Sequence, residues 1–384
     1  MSNTTHQFDV IILGGGIAGL WLLSLLRHQG FEAILLEKDG LGAGQTFASQ
    51  GMIHGGIKYS LAGAMTGASE SIADMPSRWR SCLEGTDTVN LKGVRVLSDA
   101  YYMFSDARFS SKLTAFFGSK AIEGRVTPVP AADYPEVFQS PLFGGLLYKL
   151  KDLVLDTHSL VTHLRNQFKD SIYTGNVRFG HTKGRVTYLQ LDGGITLSAG
   201  TYVLAAGKGN GDLIGDLGLD VSMQLRPLHQ VIIKGKHLPD LFAHAVTLRS
   251  SDKPRITFTT HSTKDSKVWY LGGQLAESGV ARDETAQIEF AKKELAAMLP
   301  WMDYSGCEFS TLRIDRAEAG SNSLLRPDTP YVRRYGNVVV CWPTKLTLAP
   351  MMGDLLMKLM PEPKAAAAAS LNLPRSAIGS SPWE

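Results

Sequence analysis

The chain is poor in cysteine, in unbroken apolar stretches and in charge of either sign, and each shortage removes a class of protein. Its three cysteines, Cys82, Cys307 and Cys341, are odd in number and far apart, and no C-x-x-C pair stands ready for zinc or a redox disulfide. A reducing compartment, the cytoplasm, is therefore expected, and no metal. Lys and Arg total 39 against 36 Asp and Glu, a net charge of +3 with no long run of one sign. Nucleic acid is not an expected partner. The one candidate targeting stretch, Val10 to Leu26, is interrupted by glycines and lacks the ~18 uninterrupted apolar residues of a membrane span. It reads as folded structure.

What is present is a large globular chain. Its 384 residues exceed one ordinary core, so two domains are expected, and 44% hydrophobic against 20% charged residues leaves ample apolar surface to bury. Glycine is abundant, at 39. Its placement near the start is informative.

Phe8-Asp9-Val10-Ile11-Ile12-Leu13 is the β-branched, apolar run of a strand covered on both faces, and it leads straight into Gly14-Gly15-Gly16-Ile17-Ala18-Gly19. Helical spacing follows from Ile17 to Gln29, Gly30 supplies a stop, and Ala33-Ile34-Leu35-Leu36-Glu37 reads as a second buried strand ending in a carboxylate. In such a β-α-β unit Gly14 permits the tight turn, Gly16 lets backbone approach a diphosphate, and Gly19 lets the helix pack on the strand. Glu37 falls where a carboxylate accepts from both hydroxyls of an adenosine ribose, and it would repel a 2′-phosphate. Dinucleotide binding follows, with Gly14, Gly16, Ile17, Ala18, Gly19, Glu37 and Lys38 as the expected contacts. The choice between NAD and FAD has to come from what lies beyond.

Beyond lies a long run of small and polar residues, Gly42-Ala43-Gly44-Gln45-Thr46-Phe47-Ala48-Ser49-Gln50-Gly51, continuing through Ile53-His54-Gly55-Gly56-Ile57-Lys58-Tyr59. Here the chain resembles the D-amino-acid oxidase superfamily of FAD-dependent oxidoreductases, which includes glycine oxidase, sarcosine oxidase, L-2-hydroxyglutarate oxidase and FAD-linked glycerol-3-phosphate dehydrogenase. The piece from Ile53 to Tyr59 is most similar to the hydroxyl-oxidising members. The resemblance implies FAD as cofactor, with contacts from Thr46, Ser49, Gln50 and Gly51. It also implies the fold class: α/β, a Rossmann-type FAD-binding domain interleaved with a β-rich α+β substrate domain. The segments would be 1–90, 150–220 and 320–365 for the first domain and 91–149 and 221–319 for the second, with 366–384 as a poorly ordered tail.

Later segments extend the resemblance in order. Asp156-Thr157 opens a capped helical pattern in the stretch Leu150–Phe168. The strand-like run from Ser171 to Val177 implies a backbone contact between Val177 and adenine. Tyr202-Val203-Leu204-Ala205-Ala206-Gly207 resembles the strand that packs beneath the nucleotide, which implies contacts from Ala206 and Gly207. The neighbouring Gly207-Lys208-Gly209-Asn210-Gly211 has the wrong spacing for a second dinucleotide loop, which disfavours an NADPH-using monooxygenase. The last strand, Tyr335 to Trp342, leads to Pro343-Thr344-Lys345-Leu346-Thr347 and a helix starting near Met351. In the family this loop sets backbone N–H groups against the flavin's pyrimidine oxygen, so Lys345, Leu346 and Thr347 are implied contacts. The family's usual glycines are replaced here by Pro343, Thr344 and Lys345.

The chemistry requires an anchor for an anionic substrate, and Arg suits it because its planar fork pairs both oxygens of a carboxylate. Arg313 is the first candidate and Arg316 the second; an ion pair with Asp315 or Glu318 is the alternative use of either. An alcohol must also lose its O–H proton, and His54 is the candidate base, with a fixed hydrogen-bond role or covalent flavin attachment left open. His229 and His261 are reserves. The expected function is dehydrogenation of a small anionic substrate, a 2-hydroxy acid in first place, by hydride transfer to flavin N5, with oxygen or another acceptor taking the electrons. Amino-acid or amine oxidation, glycerol-3-phosphate oxidation, and a structural FAD working with a partner are the alternatives.

Overall fold

A computed structural model describes residues 5–57, 72–105, 126–182, 185–192, 194–247, 253–321, 329–364 and 371–384. Lys58 and Tyr59, at the end of the piece most similar to hydroxyl-oxidising enzymes, lie outside the described residues.

The opening segment folds as strand, helix and strand: β1 (Thr5–Leu13), α1 (Ile17–His28) and β2 (Ala33–Glu37). The two strands are parallel, in register from Val10 against Ala33 to Leu13 against Leu36. Val10, Ile11 and Ile12 are fully buried, as strands covered on both faces require. On the other side of β1 lies the parallel strand Thr196–Leu204, followed by Val338–Trp342; Ile172–Thr174 runs parallel beside β2. The antiparallel strands Val177–Thr182, Arg185–Leu191 and Tyr331–Tyr335 complete an eight-stranded sheet. The expected continuous strand from Ser171 to Val177 is thus two strands, and Val177 begins the second. On one face of this sheet α1 packs with the helices Thr157–Gln167 and Ala349–Met357, burying Leu22, Leu26, Leu160, Met352 and Leu356 in one cluster. The Asp156 carboxylate starts the middle helix by accepting from the Ser159 N–H at 2.9 Å.

A second eight-stranded sheet, nearly all antiparallel, runs in the order Glu308–Ala319, Met223–Gly235, Lys267–Gly272, Ile256–Ser262, Ala243–Val246, Tyr101–Ser105, Leu146–Leu150 and Val126–Pro128. The helix Glu284–Met298, capped by Asp283 accepting from the Ala286 N–H at 2.8 Å, lays Ala291 and Leu295 on Val231, Ile233 and Trp269. A three-stranded sheet of Met52–Ile53, Leu153–Leu155 and Val96–Ser98 lies apart from both. Val96–Ser98, expected with the β-rich segments, pairs here instead.

The tail departs furthest from expectation. Composition reads it as poorly ordered, yet residues 371–384 form a strap along the body. Leu371 and Ser376 are buried, Ala377 and Gly379 bond the backbone of Leu41, and Trp383 stacks on His261 with ring centroids 4.1 Å apart. Apolar anchors at both ends outweigh the proline- and serine-rich composition between them.

Candidate active site

A cavity of about 1170 Å³ opens at the carboxyl ends of β1, β2 and Thr196–Leu204. Open α/β sheets bind ligands at these ends, and the volume exceeds the ~300–1,000 Å³ usual for a single small-molecule site.

One end is walled by backbone. Gly14 (φ +113°) lies so close to the next strand turn that a Cβ there would sit 2.5 Å from the Ala206 Cα. Gly19 lies behind this loop rather than on the cavity, where a Cβ would stand 1.9 Å from the Gly14 carbonyl oxygen, so the helix packs against its own entry loop. Gly16, Ile17 and Ala18 line the cavity, and the Ile17 N–H donates to Thr46 Oγ1 at 2.9 Å. Thr46 therefore caps α1 from the loop that follows β2, an N-terminus with no cap of its own. The Glu37 carboxylate accepts from Gly15 N–H at 2.5 Å and Asp39 N–H at 2.8 Å, which fixes it on the wall beside Lys38 and Val177. Two acceptances leave lone pairs for a further donor. Ala206 and Gly207 line the opposite side, held by Asn210, whose Oδ1 accepts from the Ala206 N–H at 2.8 Å while its amide donates to the Leu204 and Cys341 carbonyls. Asn210 was hidden in the sequence as part of a glycine run with the wrong spacing.

Along the middle, Ser49 lines the cavity and donates to the Thr46 carbonyl at 2.8 Å. Gln50 lines it too, with its amide donating to the Thr257 and Tyr270 carbonyls at 3.0 and 2.8 Å, so this side chain stitches the loop to the second sheet. Gly51 is a correction. It does not line the cavity; at φ +69° it presses on the strand behind, where a Cβ would meet the Leu155 carbonyl oxygen at 2.1 Å.

The far end is walled by side chains and one tight loop. His54 is buried on the cavity wall, its N–H donating to Thr347 Oγ1 at 3.2 Å, while the next residue's N–H bonds Asp152 at 2.8 Å. Lys345, Leu346 and Thr347 line the wall beside it. Trp342 Nε1–H donates to the Gly207 carbonyl at 2.9 Å, tying this loop to the turn near Gly14.

Both arginines line the cavity, and both have partners within the protein. Arg313 is on the cavity rim, but its terminal nitrogens donate to the main-chain carbonyls of Val280 and Arg282, so its fork is spent on holding that turn. Arg316 also lines the cavity and lies 3.7 Å from Glu277, whose other oxygen pairs with Lys253 at 2.9 Å. Lys253 and Glu277 were missed: each sits alone in sequence, and only the second sheet brings them to Arg316. The reserve histidines are excluded. His229 is buried with Nδ1 3.0 Å from the Gly279 carbonyl oxygen, and His261 is buried under Trp383; neither lines the cavity. Burial pushes the His261 imidazole down to about 4, against the opposing pull of Asp156.

The residues fit an adenine dinucleotide whose far end reaches past His54. Glycines leave no room for side chains where a diphosphate would pass, a fixed carboxylate stands at the adenosine end, and the cavity continues beyond. This is a Rossmann-type nucleotide-binding flavoprotein fold joined to a β-rich half. The FAD dependent oxidoreductase family model matches residues 9–359, and the chain belongs to that family. A protein of Pseudomonas aeruginosa described as a "probable FAD-dependent oxidoreductase" is 45% identical over 382 residues, 98% of this chain and 97% of the relative. The crystal structure of the FAD dependent oxidoreductase from Pseudomonas aeruginosa matches with a TM-score of 0.85 at 40% identity, covering 99% of this chain and 98% of that one. Glycine oxidase from Geobacillus kaustophilus has the same fold, with a TM-score of 0.65 at 16% identity over 94% of this chain and 96% of that one. The protein is an FAD-dependent oxidoreductase. Among the described residues no helix is long and apolar enough to cross a membrane.

Proposed function

We propose that this oxidoreductase dehydrogenates a small anionic substrate, a 2-hydroxy acid before others, and passes the electrons to oxygen or another acceptor. The observation that carries the reading is a single cavity lined both by cationic side chains, Arg316, Lys253 and Lys345, and by buried His54. Bound FAD supplies the two-electron acceptor. The cationic side chains hold the substrate carboxylate, with Arg316 the favoured fork and Arg313 a support for the turn beside it. His54 takes the hydroxyl proton as the carbon-bound hydrogen leaves with its electron pair. The FAD contacts in this reading are Gly14, Gly16, Ile17, Ala18, Glu37, Lys38, Thr46, Ser49, Gln50, Val177, Ala206, Gly207 and the Lys345–Thr347 loop. The three free thiols suit a cytoplasmic location.

An amino acid substrate is the second reading, favoured by the Glu277 carboxylate, which could accept from a substrate ammonium. Anaerobic bleaching of the flavin across a panel of 2-hydroxy acids, amino acids and polyol phosphates decides. Bleaching by hydroxy acids is the expected result; bleaching by amino acids alone would reverse the ranking.

A further inference from the structure

The strap of residues 371–384 lines no part of the cavity, yet it is fastened to two stretches of chain that do. At the first, Leu41 is gripped from both sides: its N–H donates to the Ala377 carbonyl and its own carbonyl accepts from the Gly379 N–H, each at 2.9 Å. The Gly42 N–H then donates to the Gly15 carbonyl at 3.0 Å, so this grip reaches the glycine turn after β1. At the second, the Thr174 N–H donates to the Pro374 carbonyl at 2.8 Å, and Thr174 Oγ1 donates to the buried Ser376 Oγ at 3.0 Å. Gly42 and Ala43 follow the first grip in the chain and Gly175 and Asn176 the second; all four line the cavity, as does Glu37.

β2 and Ile172–Thr174 end side by side, with Glu37 opposite Thr174. The strap therefore spans, from outside, the ends of two neighbouring strands whose loops wall the nucleotide end. It lies close: a Cβ on Gly379 would stand 3.0 Å from the Ala43 Cα, although the Gly379 φ is outside the left-handed region. Its far end is anchored on the second sheet, where Trp383 packs with Ile232, Val268 and Tyr270, and the Tyr270 hydroxyl bonds the Ala48 carbonyl at 2.9 Å. Surface loops open locally unless something ties them, and a wall that is ordered before its ligand arrives spares the ligand that ordering cost.

We propose that residues 371–384 are a clasp for the cofactor: by fixing the 40–43 and 174–176 stretches to one strap, they hold the adenosine end of FAD without touching it. The assignment rests on the reading that this end lies at Glu37, and it is independent of which substrate is oxidised.

The test follows FAD release from purified holoprotein by recovery of flavin fluorescence on dilution, at a temperature where every variant is folded. Gly379→Val, whose side chain meets the Ala43 backbone, is expected to speed release about tenfold, within the ordinary range for coupling between two sites. Ser380→Val, at the exposed neighbouring position, should match the parent. Trp383→Ala unfastens the far end, acts in the same direction and serves where Gly379→Val does not fold. Parent-like release from folded Gly379→Val and Trp383→Ala, with faster release from Glu37→Gln, would overturn the clasp and keep the adenosine end at Glu37. Parent-like release from all three would remove that placement and the clasp with it. Ala291→Gly weakens the helix Glu284–Met298, which lines no part of the cavity, and should leave release unchanged. Equal acceleration by Ala291→Gly would also overturn the clasp, because release would then track overall stability.

Discussion

Beside Gly14 the cavity wall is main chain, packed so closely that a single added carbon collides with the Gly14 carbonyl or with Ala206. Elsewhere the same cavity is walled by side chains, from positions 54, 253, 277, 316 and 345 on five separate stretches of chain. The first end is backbone packed on backbone, with no room for a side chain. The second end holds its charges in partly exposed pairs, Lys253 to Glu277 and Arg316 to Glu277, which cost little to rearrange. The two regions differ in how readily they can rearrange.

The contrast is broken most severely at Gly19. Gly19→Val should cost about 3 kcal/mol or more, because the clash is with backbone that has nowhere to go, and the purified protein should lack its yellow colour. A variant that keeps both its melting temperature and its FAD would show the nucleotide end to be softer than described.

At the other end, His54→Ala should leave FAD bound and slow anaerobic single-turnover reduction by about a hundredfold, the lower range for losing a general base. An unaltered reduction rate would remove His54 from the chemistry.

Acid probes the packing between the tail and the second sheet. His261 has a folded-state pKa of about 4 against an ordinary 6.5, because burial disfavours its charged form. Between these values the unfolded chain binds the extra proton, so stability is fully present above about pH 6.5 and falls as pH drops toward 4, by up to about 3 kcal/mol. His261→Phe, which keeps a ring under Trp383, should flatten that slope in melts run from pH 7 to pH 4; an equally steep loss would assign it to other groups.

The smallest expected effect separates the arginines. Arg316→Ala should raise KM for the panel substrate about tenfold and spare FAD, the size of one charge-assisted hydrogen bond, with Arg313→Ala acting through stability of the Val280–Arg282 turn instead. Equal KM changes in the two would mean that both forks reach the substrate.

Much of the first end was legible in the sequence. Gly14, Gly16, Gly19 and Glu37 lie within one β-α-β unit, where spacing along the chain is also spacing in space, so strand, turn, helix and acid can be read in order. Gly51 was misread because its need for positive φ is the same whether a glycine faces a ligand or, as here, a strand behind it. The tail was misread because composition weighs prolines and serines evenly, while the fold uses Leu371 and Trp383 as two anchors. The sequence put Arg313 ahead of Arg316; the carbonyls that occupy Arg313 belong to residues 280 and 282, whose proximity no local pattern reveals.

The chain alone determined the nucleotide unit, because its turns follow a course that a few glycines dictate, and the resemblance of the residues beyond it pointed to FAD. Only the tertiary structure decided that Lys253 and Arg316 meet at Glu277 and which histidine lines the cavity. Such side-chain encounters depend on how two sheets stack across hundreds of residues, and burial and strain exist only once that stacking is complete.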